Sequence, residues 1–523
     1  MRFFNTEGPV RGEKHYCLPP LQRWDLEEIL GLIEREKYFL LHAPRQTGKT
    51  TCLLALADYL NREGRYRAVY ANIEPAQAVR ENVSMGMTAV VEQIARGARD
   101  QIDDRHATDL AETLIARSSG TTRVEEFLTR WCGRSPLPVV LLLDEADALV
   151  GDTLISLLRQ LRAGYPKRPV QFPQTVVLCG VRDLRDYRIH ASSEAAPITG
   201  GSAFNIKAKS LRLGDFLQPE VETLLLEHTA ETGQVFTPEA LNRVWTLTLG
   251  QPWLVNALAY EACFEMREGR DRSLPVTVAR IDQAKENLIL RRETHLDQLA
   301  DKLREDRVRR VIEPMLAGTE MGPVPEDDRQ YLVDLGLLRR ESGSLVVANP
   351  MYREVLPRAL ASGPQDTLPQ IAPTWLNPDG SLNPEQLLTA FLRFWRQHGQ
   401  PLLGSAPYHE IAPHLVLMAF LHRVINGGGT LEREYAIGMG RMDLCLRYGA
   451  VTLGIELKVW CEGEPDPLAE GLAQLDGYLA GLGLESGWLV IFDRRSSQPP
   501  IRERTASTET GSPQGRRISL IRA

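Results

Sequence analysis

The sequence predicts an α/β protein in which the α/β pattern occurs twice along the chain, with a helical stretch between. Three observations predict it. From Leu21 to Gln171 segments of helical and strand periodicity alternate, the signature of a parallel sheet covered by helices. A short glycine-containing loop, Ala43 to Thr50, lies between one of those strands and the next helix. After a proline-rich stretch, a second and shorter α/β pattern runs toward the C-terminus. At 523 residues the chain exceeds what one hydrophobic core fills, so several domains are expected.

In the first pattern, Arg23 to Lys37 has helical spacing, with Leu26, Ile29, Leu30 and Ile33 on one stripe. Tyr38 to His42 is a short apolar strand, and Thr50 to Asn61 is helical. Arg67 to Ile73 reads as a strand and Val83 to Ala98 as a helix. Val139 to Leu143 is five consecutive valines and leucines, a strand buried on both faces. Asp152 to Gly164 is helical, and Thr175 to Leu178 is a further buried strand. From Gln218 to Ala300 strand signals vanish, and Leu224, Leu225, Leu241, Val244, Leu254 and Leu258 lie on helical stripes, as in a lid. Residues 301–360 end in helix, strand, a turn at Ser342-Gly343 and strand, the pattern of a small winged-helix unit. Pro364, Pro369, Pro373, Pro378 and Pro384 mark residues 361–384 as an interdomain linker. The second pattern comprises a helix at Pro413 to Ile425, strands at Leu431 to Ile437, Met442 to Tyr448 and Val451 to Val459, a helix at Leu468 to Leu482, and a strand at Trp488 to Phe492. Arg494 to Gly515 is polar and reads as mobile, with a last strand at Arg517 to Ile521. The expected division is therefore 1–215, 216–300, 301–360, 361–384 and 385–523.

Composition bounds the chemistry. The net charge of -7 argues against a broadly basic nucleic-acid-coating protein and leaves room for a local basic groove. Seven scattered cysteines with no CxxC pair speak against a zinc site or a disulfide framework, and fit a reducing compartment. The first residues have no apolar signal-peptide core, and no apolar run is long enough to span a bilayer. A cytoplasmic protein with no membrane partner is expected.

Ala43-Pro44-Arg45-Gln46-Thr47-Gly48-Lys49-Thr50 matches GxxxxGK[ST] except for Ala at its first position, in the strand–loop–helix context that the motif requires. Loop N–H groups at a helix N-terminus cradle phosphates, and Lys49 reaches the terminal ones. The Thr50 hydroxyl is a Mg²⁺ ligand candidate, and Thr51 completes the binding segment. Val139-Val-Leu-Leu-Leu-Asp-Glu145 is a buried strand that ends in two carboxylates, Asp144 for the metal shell and Glu145 to orient or deprotonate an attacking water. ATP with Mg²⁺ is the expected ligand. Arg182, after the next strand, is a candidate sensor of nucleotide state, and Arg159, Arg162, Lys167 and Arg168 lie nearby in sequence. An arginine acting in trans would require a homo-oligomer; each of these residues also reads as ordinary solvated charge. Gly250-Gln-Pro252 opens a lid helix, with Pro near its first position.

The combination APRQTGKT, LLLDEAD, LCGVRDLRDY, GQPWLV and NPMYREV resembles AAA-ATPase-like proteins near the STAND and archaeal-ATPase groups, over about Phe3 to Leu360. That resemblance implies a nucleotide-facing role for Gly250 and Pro252, and a winged-helix unit that ends near Asn349 to Tyr352.

In the C-terminal pattern, Gly440-Arg-Met-Asp443 precedes Glu456-Leu-Lys458 on the next strand, where period two puts Glu456 and Lys458 on one face. Two carboxylates and a lysine suit metal-assisted phosphodiester cleavage, with Asp443 and Glu456 as metal ligands. An exposed ion pair on a strand face is the plainer alternative. GRMDLCLRYGAVTLGIELK resembles the PD-(D/E)XK nuclease superfamily, of restriction-endonuclease-like fold, over about Pro407 to Arg495, with Met442 in place of the proline of the name. The resemblance implies a DNA partner, a role for Gln474, and an additional acidic residue for which Glu410 and Glu434 are candidates. Arg441, Arg494, Arg495, Arg502 and Arg504 are candidate phosphate contacts, whereas His409, His414 and His422 read as structural. Two functions follow: an ATP-regulated Mg²⁺-dependent DNA nuclease, or a nucleotide-dependent switch or scaffold whose nuclease-like domain binds DNA or protein without cutting.

Overall fold

The computed structural model describes residues 1–182, 188–189, 198–199, 206–291, 293–317, 323–367, 373–405, 412–425, 429–437, 440–495 and 498–523. The chain divides into two compact units. The first comprises Met1–Arg291 and Pro325–Pro350, the second Arg292–Val324 and Met351–Ala523.

In the first unit the strands β1 (Tyr38–His42), β2 (Arg67–Asn72), β3 (Val139–Asp144), β4 (Thr175–Gly180) and β5 (Lys207–Arg212) form one sheet in the order β2-β3-β4-β1-β5. All neighbouring strands are parallel. Every residue of β3 and β4 is buried, as continuous Val/Leu runs require when helices cover both faces. Helix α1 (Leu26–Glu34) starts on the Asp25 side chain, which accepts from the Glu28 N–H. Helix α2 (Lys49–Glu63) opens directly on Gly48. One face of the sheet packs on α3 (Val83–Ile102), α4 (Arg105–Arg117), α5 (Arg123–Cys132) and α6 (Gly151–Gly164), with Phe127, Trp131 and Phe172 in the core. The other face packs on α1 and α2 through Ile29, Ile33, Leu53 and Leu56. The lid that follows contains α7 (Gln218–Thr232), α8 (Pro238–Thr248), α9 (Pro252–Tyr260) and α10 (Val278–Leu290). The N-terminal residues return onto this lid. Arg2 pairs with Glu227 and Glu231, and the Trp253 indole donates to the Thr6 carbonyl.

In the second unit, six strands pair in the order β8 (Gly429–Ile437), β9 (Gly440–Tyr448), β10 (Val451–Trp460), β11 (Ser486–Asp493), β13 (Arg517–Arg522) and β12 (Ala506–Gly511). The β8-β9-β10 meander is antiparallel, β10-β11 and β11-β13 are parallel, and β12 closes the edge antiparallel to β13. Phe391, Trp395 and Phe420, from helices Pro384–Ser405 and Ala412–Ile425, fill the core on one face. Leu475 and Leu479 of helix Leu468–Leu482 fill it on the other.

Several expectations are corrected. Strand β5 was not read, because its Lys-Ala-Lys-Ser-Leu-Arg sequence is that of a half-solvated edge. Residues 361–367 continue the helix Pro350–Thr367 rather than open a linker, and Trp375 and Leu382 are buried in the second unit's core. The polar stretch 494–515 contains a short helix, Ile501–Arg504, and strand β12. The outer residues of β12 are solvated, so its alternation is invisible in sequence. The stretch 301–360, expected as one winged-helix unit, is shared between the two units. Its helix Glu326–Asp334 and its hairpin β6 (Leu338–Glu341) to β7 (Ser344–Val347) belong to the first. The hairpin turns at Ser342 and Gly343, both at positive φ.

Candidate functional site

The candidate nucleotide site lies at the C-terminal end of the parallel sheet, where β1 feeds α2 through residues 43–48. Gly48 caps α2 at φ 92, a conformation that glycine takes without steric cost. A Cβ there would stand 3.0 Å from Arg23 Nη1. Ala43 is buried and is not among the residues at positive φ, so alanine fits the position where the motif has glycine. Gln46 does take a positive φ, 58°, within the loop. Lys49 is buried, and its ammonium donates to the carbonyls of Ala43 and Pro44, both at 2.9 Å.

The Thr50 hydroxyl donates to Asp144 Oδ2 at 2.7 Å. Tyr70, from β2, donates its phenol to the same oxygen at 3.0 Å, and the Glu145 N–H caps Asp144 Oδ1 at 3.0 Å. Asp144 has no exposed surface. Its lone pairs are thus met by donors from a strand, a helix and the turn that follows it. The Thr50 hydroxyl and the Asp144 carboxylate, side by side, are a donor set that suits a hard divalent cation. Glu145, the residue after β3, sits in the left-handed region at φ 56, where the strand gives way to the turn. Burial, then Asp147 and Asp144, raise the Glu145 carboxyl above its ordinary range, against the pull of Lys49 and Arg45. Asp147 Oδ1 is buried and has no hydrogen-bond partner among the described residues.

A half-open cavity lies beside the loop. Gln46, Thr47, Gly48 and Thr51 form one wall, Asn5 to Gly8 of the N-terminal segment another, and Pro252, Trp253 and Asn256 of the lid a third. Val10 donates its N–H to the Thr51 hydroxyl at 3.1 Å, which ties the N-terminal segment to α2. Of the two lid residues singled out in sequence, Pro252 lines this cavity and Gly250 does not. Gly250, at φ +80, is instead a packing requirement, since a Cβ there would fall 1.9 Å from the Phe216 carbonyl. The N-terminal segment and Tyr70 were missed in sequence, and neither belongs to a motif.

Arg182 lies 3.9 Å from Asp334 and 4.7 Å from the centre of the Tyr331 ring. The turn after that helix brings Gly336 against Pro44 of the loop, where a Cβ would be 2.8 Å from the proline ring. Residues 325–350 of the first unit thus rest on both the phosphate loop and the end of β4. Lys167 and Arg168 are already engaged, Lys167 in a surface ion pair with Glu125 and Arg168 on the Tyr165 ring. Asp183, next to Arg182, lies outside the described residues.

In the second unit, Asp443 Oδ2 accepts the Leu457 N–H at 2.8 Å, which brings Asp443 beside Glu456 on β10. The Lys458 ammonium is 3.4 Å from Glu456 Oε1 and 2.5 Å from Gln474 Oε1. It is also 3.4 Å from Glu470, a residue not singled out in sequence; Glu470 accepts from Gln474 at 3.0 Å. Glu456 is buried, and its Oε2 has no hydrogen-bond partner among the described residues. Burial, with Asp443 adding to it, pushes its carboxyl up to about 8, while Lys458 pulls the other way. Burial lowers the Lys458 ammonium, but Glu456, Glu470 and Asp443 outweigh it and leave a net rise. Tyr478, one helical turn beyond Gln474, is raised by burial and by the fields of Glu456 and Asp443. The four residues chosen from sequence therefore converge. Glu410 and His409 lie outside the described residues, as do the side chains of Glu434, Arg441 and Met442. Arg495 stacks on Trp460 and pairs with Asp493, and His414 and His422 are buried. Among the described residues, no group of three or more His, Cys, Asp and Glu is arranged to hold a metal ion, and no helix is long and apolar enough to cross a membrane.

The first unit has an α/β P-loop NTPase fold with a helical lid. Residues 33–187 match the family model of an AAA domain. No curated protein matches the chain. Among solved structures it is similar to the Walker-type ATPase PABY2304 of Pyrococcus abyssi, at 16% identity over 68% of this chain and 99% of that one, with a TM-score of 0.47. It is also similar to Cdc6p from Pyrobaculum aerophilum, at 17% identity over 69% and 96%, TM-score 0.34. The RuvB Holliday junction branch migration motor of Thermotoga maritima is similar at 14% identity over 61% and 87%, TM-score 0.31.

Proposed function

We propose that this protein binds and hydrolyses ATP with Mg²⁺ in its first unit and thereby regulates a Mg²⁺-dependent DNA nuclease in its second. The observation that carries the first half is the contact of the Thr50 hydroxyl with fully buried Asp144 at 2.7 Å, beside a loop whose lysine is held inward. Thr50 and Asp144 would hold the cation, which neutralises phosphate charge when bound. Lys49 and the α2 N-terminus hold the phosphates by charge and N–H donation. Glu145, whose carboxyl burial raises above its ordinary range and so makes more basic, is suited to orient or deprotonate an attacking water. The cavity walled by the N-terminal segment and Pro252 lies beside the phosphate loop, where a nucleoside attached to those phosphates would sit.

For the second half, the convergence of Asp443, Glu456, Lys458 and Gln474 supports phosphodiester chemistry. The unpartnered Glu456 oxygen beside Asp443 is the feature that fits a cation. That cation would polarise the phosphate, while Lys458 orients water or meets developing negative charge. Regulation is supported by residues 325–350, which touch the phosphate loop at Pro44 and the β4 end at Arg182. A cytoplasmic location and a homo-oligomer remain part of this reading. The second reading, a switch that does not cut, draws on the engagement of Lys458 by Glu456, Glu470 and Gln474, which is also how a structural ion-pair cluster is built. Plasmid nicking in Mg²⁺ decides between them. The nuclease reading expects nicking by the wild type and none by the Asp443→Ala, Lys458→Ala double variant. Absence of nicking by the wild type under every nucleotide and metal condition supports the switch.

A further inference from the structure

Arg23 belongs to no motif, yet it lies between the phosphate loop and the lid. It ends a short turn, Pro20–Arg23, ahead of α1. One arm of its guanidinium donates from Nη1 to the Thr47 carbonyl at 2.8 Å, in the phosphate loop. The other donates from Nη2 to the Gly214 carbonyl at 2.6 Å, in the segment that leads from β5 into the lid. The guanidinium carbon stands 4.5 Å from the centre of the Phe216 ring. Phe216 in turn donates its N–H to the Gly250 carbonyl at 2.8 Å, and the Gly250 N–H reaches the Thr248 hydroxyl at 3.2 Å. Gln251 and Pro252 then open α9, whose first residues line the cavity beside the loop. Arg23 and Phe216 line the same cavity. A continuous set of contacts thus runs from the loop that would hold phosphates to the lid helix that would cover the nucleoside.

We propose that Arg23 is a positioning residue that sets the lid against the phosphate loop, so that occupancy of the loop by nucleotide fixes the lid. A guanidinium is suited to this because its planar fork donates in two directions at once, whereas an ammonium is a point charge on a flexible stem. Burial lowers the tendency of Arg23 to hold its proton, and Glu220 and Asp215 are among the groups that oppose this. The two carbonyls keep the charged form hydrogen-bonded on both sides. The loop carbonyl that Arg23 holds belongs to Thr47, next to Gly48, where a Cβ would press on the same guanidinium nitrogen. A shift of the loop is therefore felt directly at Arg23.

The inference rests on the ATP reading, and its test separates the two. Arg23→Lys keeps the charge and loses the fork; Arg23→Gln keeps one donor and loses the charge. For the full chain, Mg²⁺–ATP affinity is measured alongside the rate of limited proteolysis at the lid junction near exposed Leu217, with and without saturating ATP. The wild type is expected to bind and to show slower cleavage when loaded. Both variants are expected to bind about tenfold more weakly, to keep kcat within about twofold at saturating ATP, and to lose the protection. A purely structural role would lower the unfolding midpoint and leave the ATP-dependent protection of the folded fraction intact, and that result overturns the proposal. So does wild-type affinity with full protection in both variants. Failure of the wild type itself to bind ATP overturns the nucleotide reading and this inference together.

Discussion

Replacing Gly250 by alanine should cost the first unit far more than an ordinary glycine substitution. The position combines two independent demands. Its φ of +80 is a backbone region that an L-residue enters at a cost of about 1–2 kcal/mol. Its missing Cβ would stand 1.9 Å from the Phe216 carbonyl oxygen, 2.9 Å from the Phe216 carbonyl carbon and 3.0 Å from Trp245 Cζ3. The first two atoms are backbone, which cannot swing aside. Relief means moving the segment before α7 and breaking the Phe216 N–H to Gly250 carbonyl bond, a shift that overpacked sites pay for with roughly 1–3 kcal/mol. The sum is about 2–5 kcal/mol. Gly233, at φ +77 with nothing within 4 Å of its Cβ position, isolates the backbone part, so Gly233→Ala should cost only about 1–2 kcal/mol. Urea unfolding of the two variants, followed by tryptophan fluorescence, measures the difference. Equal losses in Gly250→Ala and Gly233→Ala would refute the close-approach argument. Unchanged stability in Gly250→Ala with lost nucleotide binding would return Gly250 to a ligand-facing role.

Lys49→Ala should abolish nucleotide binding in equilibrium dialysis, whereas Glu145→Gln should retain binding and lose turnover; hydrolysis retained by both would contradict the site. Tyr70→Phe removes one of the donors to Asp144 Oδ2 and should weaken Mg²⁺–ATP binding by roughly the 1.5–3 kcal/mol of a hydrogen bond to a charged group, read by titration calorimetry. The Glu456 carboxyl, raised from 4.5 to about 8 in the folded state, contributes stability that is complete below its unfolded value and is lost as pH rises through about 8. Without divalent cation, the second unit should therefore unfold at lower urea at pH 8.5 than at pH 5.5, and Glu456→Gln should flatten that slope; an unchanged slope would show that Glu456 does not titrate there.

Local chemistry decided what was legible in the sequence. The β1 and Leu468–Leu482 boundaries could be read to the residue, because apolar runs end at sharp breaks and glycines. Asp144, Lys49 and Thr50 were legible because their spacing encodes one geometry, and Glu456 and Lys458 because period two places them on one strand face, with Asp443 on the preceding strand; Gln474 came only with the family resemblance. Tyr70, Glu470 and Arg23 were not. Tyr70 reaches Asp144 only because β2 pairs with β3, and the register Asn72 opposite Asp144 appears nowhere in the local pattern. Arg23 binds backbone carbonyls of Thr47 and Gly214, and carbonyls leave no residue-type signature. The edge strands β5 and β12 escaped because a half-solvated edge has no apolar alternation to read.

The claim that nucleotide state governs cleavage is tested most directly by the rate at which supercoiled plasmid is nicked in Mg²⁺ with ATP, with ADP and with neither. The wild type and Lys49→Ala are compared under each condition. The account expects a rate that changes with nucleotide in the wild type and is the same in all three conditions in Lys49→Ala. Equal nicking by the wild type in all three conditions, or no nicking in any, would contradict it.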